Sequence, residues 1–115
     1  MLKTIVLLVL VFTVALPLRA GEKVLQIRAL SVRSRPPDLI IQAFIPPDAR
    51  NRSVVFVIDS PQLYASSSAE LEAERAPRTT QARFRGVPYG EYHVRVTLVG
   101  SDGERAQEIT SIAVF

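Results

Sequence analysis

His93 is the only histidine in the sequence, and there is no cysteine. A serine hydrolase would need His93 as the base between a serine and an orienting acid. Its neighbours place it elsewhere. In Glu91–Val99 the residues Tyr92, Val94, Val96 and Leu98 alternate with His93, Arg95 and Thr97, so the histidine falls on the outward face of a strand. A solvated surface histidine is expected. A metal site would have to combine His93 with carboxylates, and Asp38, Asp48, Asp59 and Asp102 lack the dense spacing of a calcium loop. There is no glycine-rich phosphate loop and no Gly-x-Ser-x-Gly elbow. The run Ser66–Ser68 reads as flexible loop. The expectation is a chain without catalytic residues, metal or cofactor, and not an enzyme.

Arginine is the unusual residue. From Gly21 onward Lys23 is the single lysine and every other basic residue is an arginine. Arginine favours bidentate recognition of carboxylate, sulfate or phosphate. The net charge of +3 includes Lys3 and Arg19, so the remainder is close to neutral. That balance argues against nucleic acid, whose binding rests on accumulated positive charge.

The first twenty residues have their own logic. Lys3 gives a positive start, Thr4–Leu16 is almost wholly apolar, Pro17 interrupts it, and Leu-Arg-Ala20 precedes a polar sequence. This is the layout of a secretory signal peptide over 1–20. Cleavage is favoured after Ala20, with Ala15 as the second site. The apolar run is shorter than the roughly 20 residues a membrane-crossing helix needs. The remaining 21–115 is one domain, exported to a periplasmic or extracellular space in a bacterial context. It is free of the membrane after cleavage and expected to be monomeric. Without cysteine it must be held by its core. The sequon at Asn51 is read as a chance triplet in a loop.

Seven strands position these residues, each a short run of period two bounded by turn residues. The first, Lys23–Arg33, switches parity between Ala29 and Leu30, which predicts a bulge or a change of sheet. Leu39–Ile45 and Val54–Ile58 are apolar at nearly every position and therefore central. Residues 68–74 fit a short helix capped by Ser68, or an edge strand with Ala69, Leu71 and Ala73 on one face; the strand is preferred. Thr79–Arg85, Glu91–Val99 and Glu104–Val114 complete the set, the last two joined by a turn at Gly100–Gly103. The expected fold is all-β, a seven-stranded antiparallel β-sandwich. A membrane barrel is excluded, since it needs at least eight strands of about 9 to 11 residues. Phe115 is expected to close the last strand over the core.

The stretch Phe84-Arg-Gly-Val-Pro-Tyr-Gly-Glu-Tyr-His-Val-Arg-Val96 resembles the corner between strands E and F of immunoglobulin-like and fibronectin type III-like sandwiches. There a tyrosine hydrogen-bonds back across the corner, and Tyr92 is the matching residue. Val94 stands where antibody domains carry a cysteine, and Phe56 matches their core tryptophan. The Gly-x-Pro-x-Gly-x-Tyr type of turn also resembles transthyretin-like and collagen-adhesin B-type domains of exported bacterial proteins. The cysteines and tryptophan of antibody domains are missing. A Lys–Asn cross-link is not expected, because Lys23 is the only partner lysine and Asn51 falls in a loop.

The resemblance implies an immunoglobulin-like sandwich whose loops gather at two ends. One end would collect Arg50, Arg52, Arg75, Arg78 and Arg105 with Asp48, Glu74, Asp102 and Glu104. The other would collect Arg35, Tyr64, Arg85 and Tyr89, and tyrosine beside arginine is the composition of a recognition patch. The function expected is an exported binding or envelope-structural module, its partner a protein or a glycan. The alternative is a carbohydrate-binding or enzyme-inhibitory module acting through the loops at one end.

Overall fold

The computed structural model describes residues 24–115. Residues 1–20, read above as a signal peptide, and both expected cleavage positions lie outside the described residues. The seven strands are β1 (Gln26–Val32), β2 (Asp38–Phe44), β3 (Asn51–Asp59), β4 (Tyr64–Glu70), β5 (Thr79–Phe84), β6 (Gly90–Gly100) and β7 (Gly103–Val114). They form two antiparallel sheets, β1-β2-β5 and β4-β3-β6-β7. The all-β sandwich read from the sequence is therefore the fold.

Alternation builds it. On β6, Tyr92, Val94, Val96 and Leu98 are fully buried while His93 and Arg95 are exposed. They meet Val54, Phe56 and Ile58 of β3 within one sheet, and Leu39, Ile41 and Ala43 of β2 across the interface. The two continuous apolar runs, β2 and β3, are the central strands of their sheets. Both faces of such a strand are partly covered, so neither needs polar residues on its outer side.

Four expectations are corrected. The fourth strand is Tyr64–Glu70, earlier than 68–74, and it includes the serines read as loop. Past Glu70 the chain buries Leu71 and closes one 3-10 turn at Ala73–Arg75, where Ala73 sits at φ 49°. Serine and alanine have weak strand preference, and the ladder of β3 overrides it. β1 pairs with β2 in unbroken register, so its parity change is not a bulge. Leu30 instead faces outward beside its partner Ile40, which screens part of its surface. The register shifts fall between Asn51 and Ser53 and between Leu98 and Val99. Asn51 is not in a loop: it opens β3 at 1% exposure. Phe115 is 80% exposed, and Val114 closes β7 over the core in its place.

Tyr92 has the largest of the fully buried side chains. Its hydroxyl donates to the Pro88 carbonyl oxygen at 2.6 Å, across the bend between β5 and β6. Tyr92→Phe keeps the ring and removes this bond, so it is expected to cost about 1 kcal/mol. Urea denaturation measures the difference; an unchanged midpoint would mean that the bend is held without it.

Candidate binding surfaces

The two ends of the sandwich use arginine in opposite ways. At the end formed by the β2–β3 and β6–β7 turns, Arg50 clamps Asp48 with Nε and a terminal nitrogen at 3.0 and 2.9 Å, and its backbone N–H adds a third bond at 2.8 Å. Arg105 reaches the same carboxylate at 3.5 Å and donates to Oδ1 of the buried Asn51. Asn51 donates in turn to the Pro46 carbonyl at 3.2 Å. Arg52 donates to the carbonyls of Ala49 and Asn51. Gly100 makes room for this packing: a Cβ there would lie 2.6 Å from Arg105 Cδ and 2.9 Å from the Arg50 carbonyl oxygen. The Arg50 side chain and backbone hold the Asp48 carboxyl far below the usual carboxylate range. Arg50, Arg52 and Arg105 thus tie turns together. Arg78 stands apart, in a depression with Gln26, Phe44, Ile45, Pro46 and Thr79.

The opposite end is fastened by a carboxylate too. Asp38, at the start of β2, accepts from Arg83 at 2.9 and 2.8 Å and from the Gly86 N–H at 3.0 Å. The Gly86 bond first, and the Arg83 bond after it, lower the carboxyl below its ordinary value. Gly86 takes φ 59°, which a side chain there would oppose. Val87 N–H donates to the Pro37 carbonyl at 2.9 Å, and Ser34 Oγ to the Pro36 carbonyl at 2.9 Å. These bonds lock the β1–β2 loop against the β5–β6 loop.

That lock brings Arg35 to Tyr89. Both line one open depression with Arg33, Ser34 and Phe115. Tyr89 is 56% exposed. Among the described residues neither the Arg33 nor the Arg35 guanidinium has an ion-pair or hydrogen-bond partner. Tyr64 and Arg85 are not in this group. Arg85 acts on Asp38 through its charge. Tyr64 begins β4 and lines a separate small depression on the outer face of the four-stranded sheet, with Val57, Asp59, His93, Arg95 and Ile109. Sequence reasoning missed two members, Arg33 and Phe115. The spacing Arg33-Ser-Arg35 inside one loop was a usable signal; nothing in the sequence separates an exposed terminal phenylalanine from a core one.

His93 stands in a cross-strand row between Asp59 of β3 and Ser111 of β7. The Ser111 hydroxyl lies 3.3 Å from Nδ1. The row shares its residue types with a hydrolytic triad, but it lies on an exposed strand face. Among the described residues no three His, Asp or Glu side chains are grouped to hold a metal ion.

The architecture defines the chain as an all-β sandwich with short loops at both ends. No protein-family model matches the sequence, and no curated protein does. Among the solved structures that are similar is catalytically inactive OgpA from Akkermansia muciniphila in complex with an O-glycopeptide (glycodrosocin) substrate, with a TM-score of 0.47 at 10% identity. The match covers 80% of this chain and 29% of that one.

The two fastening carboxylates make stability depend on pH. Each has a folded pKa below its unfolded value, so its contribution is complete above the unfolded value, about 3.9, and is lost as pH falls below that through the folded value. The gap in urea midpoint between the native protein and an Asp38→Asn/Asp48→Asn variant is therefore expected to be constant near neutrality and to shrink below about pH 4. A gap as wide in strong acid as at neutrality would show that the carboxylates are not what fastens the ends.

Proposed function

We propose that the chain is an exported, non-catalytic β-sandwich of the immunoglobulin-like or fibronectin type III-like kind, acting as a binding module in the periplasm or outside a bacterial cell. The observation that carries this reading is the depression of Arg33, Arg35, Tyr89 and Phe115. Two guanidiniums without partners among the described residues stand beside two exposed rings. At the other end Arg50, Arg52 and Arg105 are taken up by internal bonds, whereas Arg33 and Arg35 have no such partner among the described residues. The chemistry selects a ligand with a carboxylate, sulfate or phosphate for the arginines and a flat or apolar face for the rings. An acidic glycan and an acidic segment of a protein both meet that description.

The non-catalytic part of the proposal rests on His93. Its serine neighbour lies 3.3 Å from Nδ1 on an exposed sheet face, not in a water-excluding site with oxyanion donors preorganised around it. The immunoglobulin-like part rests on the Tyr92–Pro88 bond at the bend. The fourth strand joins β3, whereas in constant-type immunoglobulin domains it joins the sheet of the first two. A constant-type assignment is therefore not proposed.

Binding is tested on an array of neutral and acidic glycans beside neutral and acidic peptides. Acidic members alone are expected to bind, and Arg35→Ala is expected to weaken binding about tenfold or more, the loss of one or more charge-assisted hydrogen bonds. Tyr89→Ala is expected to weaken it as well. Equal binding by both variants, or no acidic ligand bound, would remove this surface from the proposal.

Export has its own test. N-terminal sequencing of the protein recovered outside the cytoplasm is expected to begin at Gly21, with Leu16 as the start if cleavage follows Ala15. Retention of Met1 on protein found only in the cytoplasm would overturn it.

A further inference from the structure

The described strands leave four sheet edges, and three of them are guarded. β1 carries Arg28 and runs beside β7, where Gln26 and Ile27 share a depression with Glu108, Ile109 and Thr110. β5 carries Arg83 and follows Pro77 closely. β7 is bulged and carries Glu104, Arg105 and Glu108. Charge, proline and bulges are the devices by which proteins protect exposed edges from pairing. β4 has none of them before its last residue. Its sequence is Tyr-Ala-Ser-Ser-Ser-Ala-Glu, its register with β3 is unbroken, and its one charge is Glu70.

The hydrogen-bond parity says which groups the edge offers. Ser60 and Leu63 exchange both backbone bonds, and Leu71 N–H donates to the Arg52 carbonyl. Antiparallel ladders bond alternate residues, so Leu63, Ala65, Ser67, Ala69 and Leu71 face β3. Tyr64, Ser66, Ser68 and Glu70 turn their N–H and C=O groups to the open side.

We infer that β4 is a self-association edge that pairs antiparallel with β4 of a second copy of this chain, about a two-fold axis through Ser67. The strand is a near-palindrome about that residue, Ala-Ser-Ser-Ser-Ala, and a two-fold contact requires each residue to fit its counterpart. In this register Ser66 opposes Ser68 of the other copy and Tyr64 opposes Glu70. Every facing pair on the open side is then one that exchanges both backbone bonds. Ser67 meets its own copy as a close, non-bonded pair of small side chains. The two Glu70 carboxylates lie at opposite ends. Each stands two strand spacings, about 10 Å, from Asp59 across the intervening Tyr64, roughly one Debye length at physiological salt. The small side chains of β4 form no pockets that would select a foreign strand, so the self-matching register is what gives specificity. A contact of one strand pair is smaller than the roughly 1,000 Å² typical of stable interfaces, so the dimer forms at high concentration.

Sedimentation equilibrium of the protein up to about 1 mM tests this, 1 mM being the practical floor of weak association. The native protein is expected to move from monomer to dimer with concentration. Ser67→Lys and Ser67→Glu each place like charges on the axis and are expected to raise the dimer Kd at least tenfold. An equimolar mixture of the two variants is expected to restore dimer, because opposite charges then meet. Amide exchange is read alongside on the native protein, where Ser66 and Ser68 should slow as concentration rises; it stands alone if a variant fails to fold. A monomer at every concentration overturns the inference. So does a dimer indifferent to both substitutions, a mixture that stays monomeric, or exchange at Ser66 and Ser68 that ignores concentration.

Discussion

The bond from Tyr92 to the Pro88 carbonyl is small in energy and large in consequence. Burying the ring removes apolar surface worth about 1.5–3 kcal/mol, while the hydrogen bond contributes about 1 kcal/mol. The ring therefore holds the sheets together, and the hydroxyl decides where the chain goes next. A buried phenol without a partner would cost about 1–3 kcal/mol, so the bend between β5 and β6 must bring a carbonyl within reach. It does so at 2.6 Å. Gly86 and Gly90, both at positive φ, let the backbone turn tightly on either side. The residue after Pro88 is Tyr89, whose exposed ring is one wall of the candidate site. A core interaction thus sets the position of a surface group.

The arginines divide between those that pair within the fold and those with no such partner among the described residues. Those near Asp48 stand beside turns that present carbonyls and a carboxylate, and each guanidinium makes two contacts with these or with Asn51. Arg33 and Arg35 lie in a loop where the Val32, Pro36 and Pro37 carbonyls are already taken by Ser34 and Val87. The carboxylate closest in sequence, Asp38, is taken by Arg83 and Gly86. Among the described residues these two guanidiniums have no ion-pair or hydrogen-bond partner.

The same distinction explains what the sequence could convey. β6 was legible because strict alternation of large apolar and polar residues has one physical solution. β2 and β3 were legible as central strands because both faces are apolar. β4 was displaced in the reading because alanine and serine carry little pattern, and its existence depends on the ladder offered by β3. Asn51 misled for a related reason: a polar residue after a proline-rich turn reads as loop, yet here Pro46 and Arg105 satisfy it inside. Loop topology places Arg35 and Tyr89 at one end, and they line one depression there. Tyr64 was grouped with them because it sits at the same end, but it lies on the sheet face, a difference only the strand boundary of β4 reveals.

The candidate site and the β4 edge have a geometric relation that constrains any joint use. Tyr64 lies at the same end of the sandwich as Tyr89, and Glu70 at the other, since β4 runs alongside β3 from Asp59 toward Ser53. An antiparallel pairing through Ser67 sets Tyr64 of one copy beside Glu70 of the next. The two arginine–tyrosine ends then point in opposite directions along the joined sheet. Such a dimer gains nothing on a single flat surface, because its sites cannot engage one face together, and avidity requires geometry that permits simultaneous contact. With the binding proposed above, it would instead bridge two separate acidic ligands. The self-pairing edge and the arginine–tyrosine end, if they act together, therefore describe a cross-linking module and not a tighter single-surface binder.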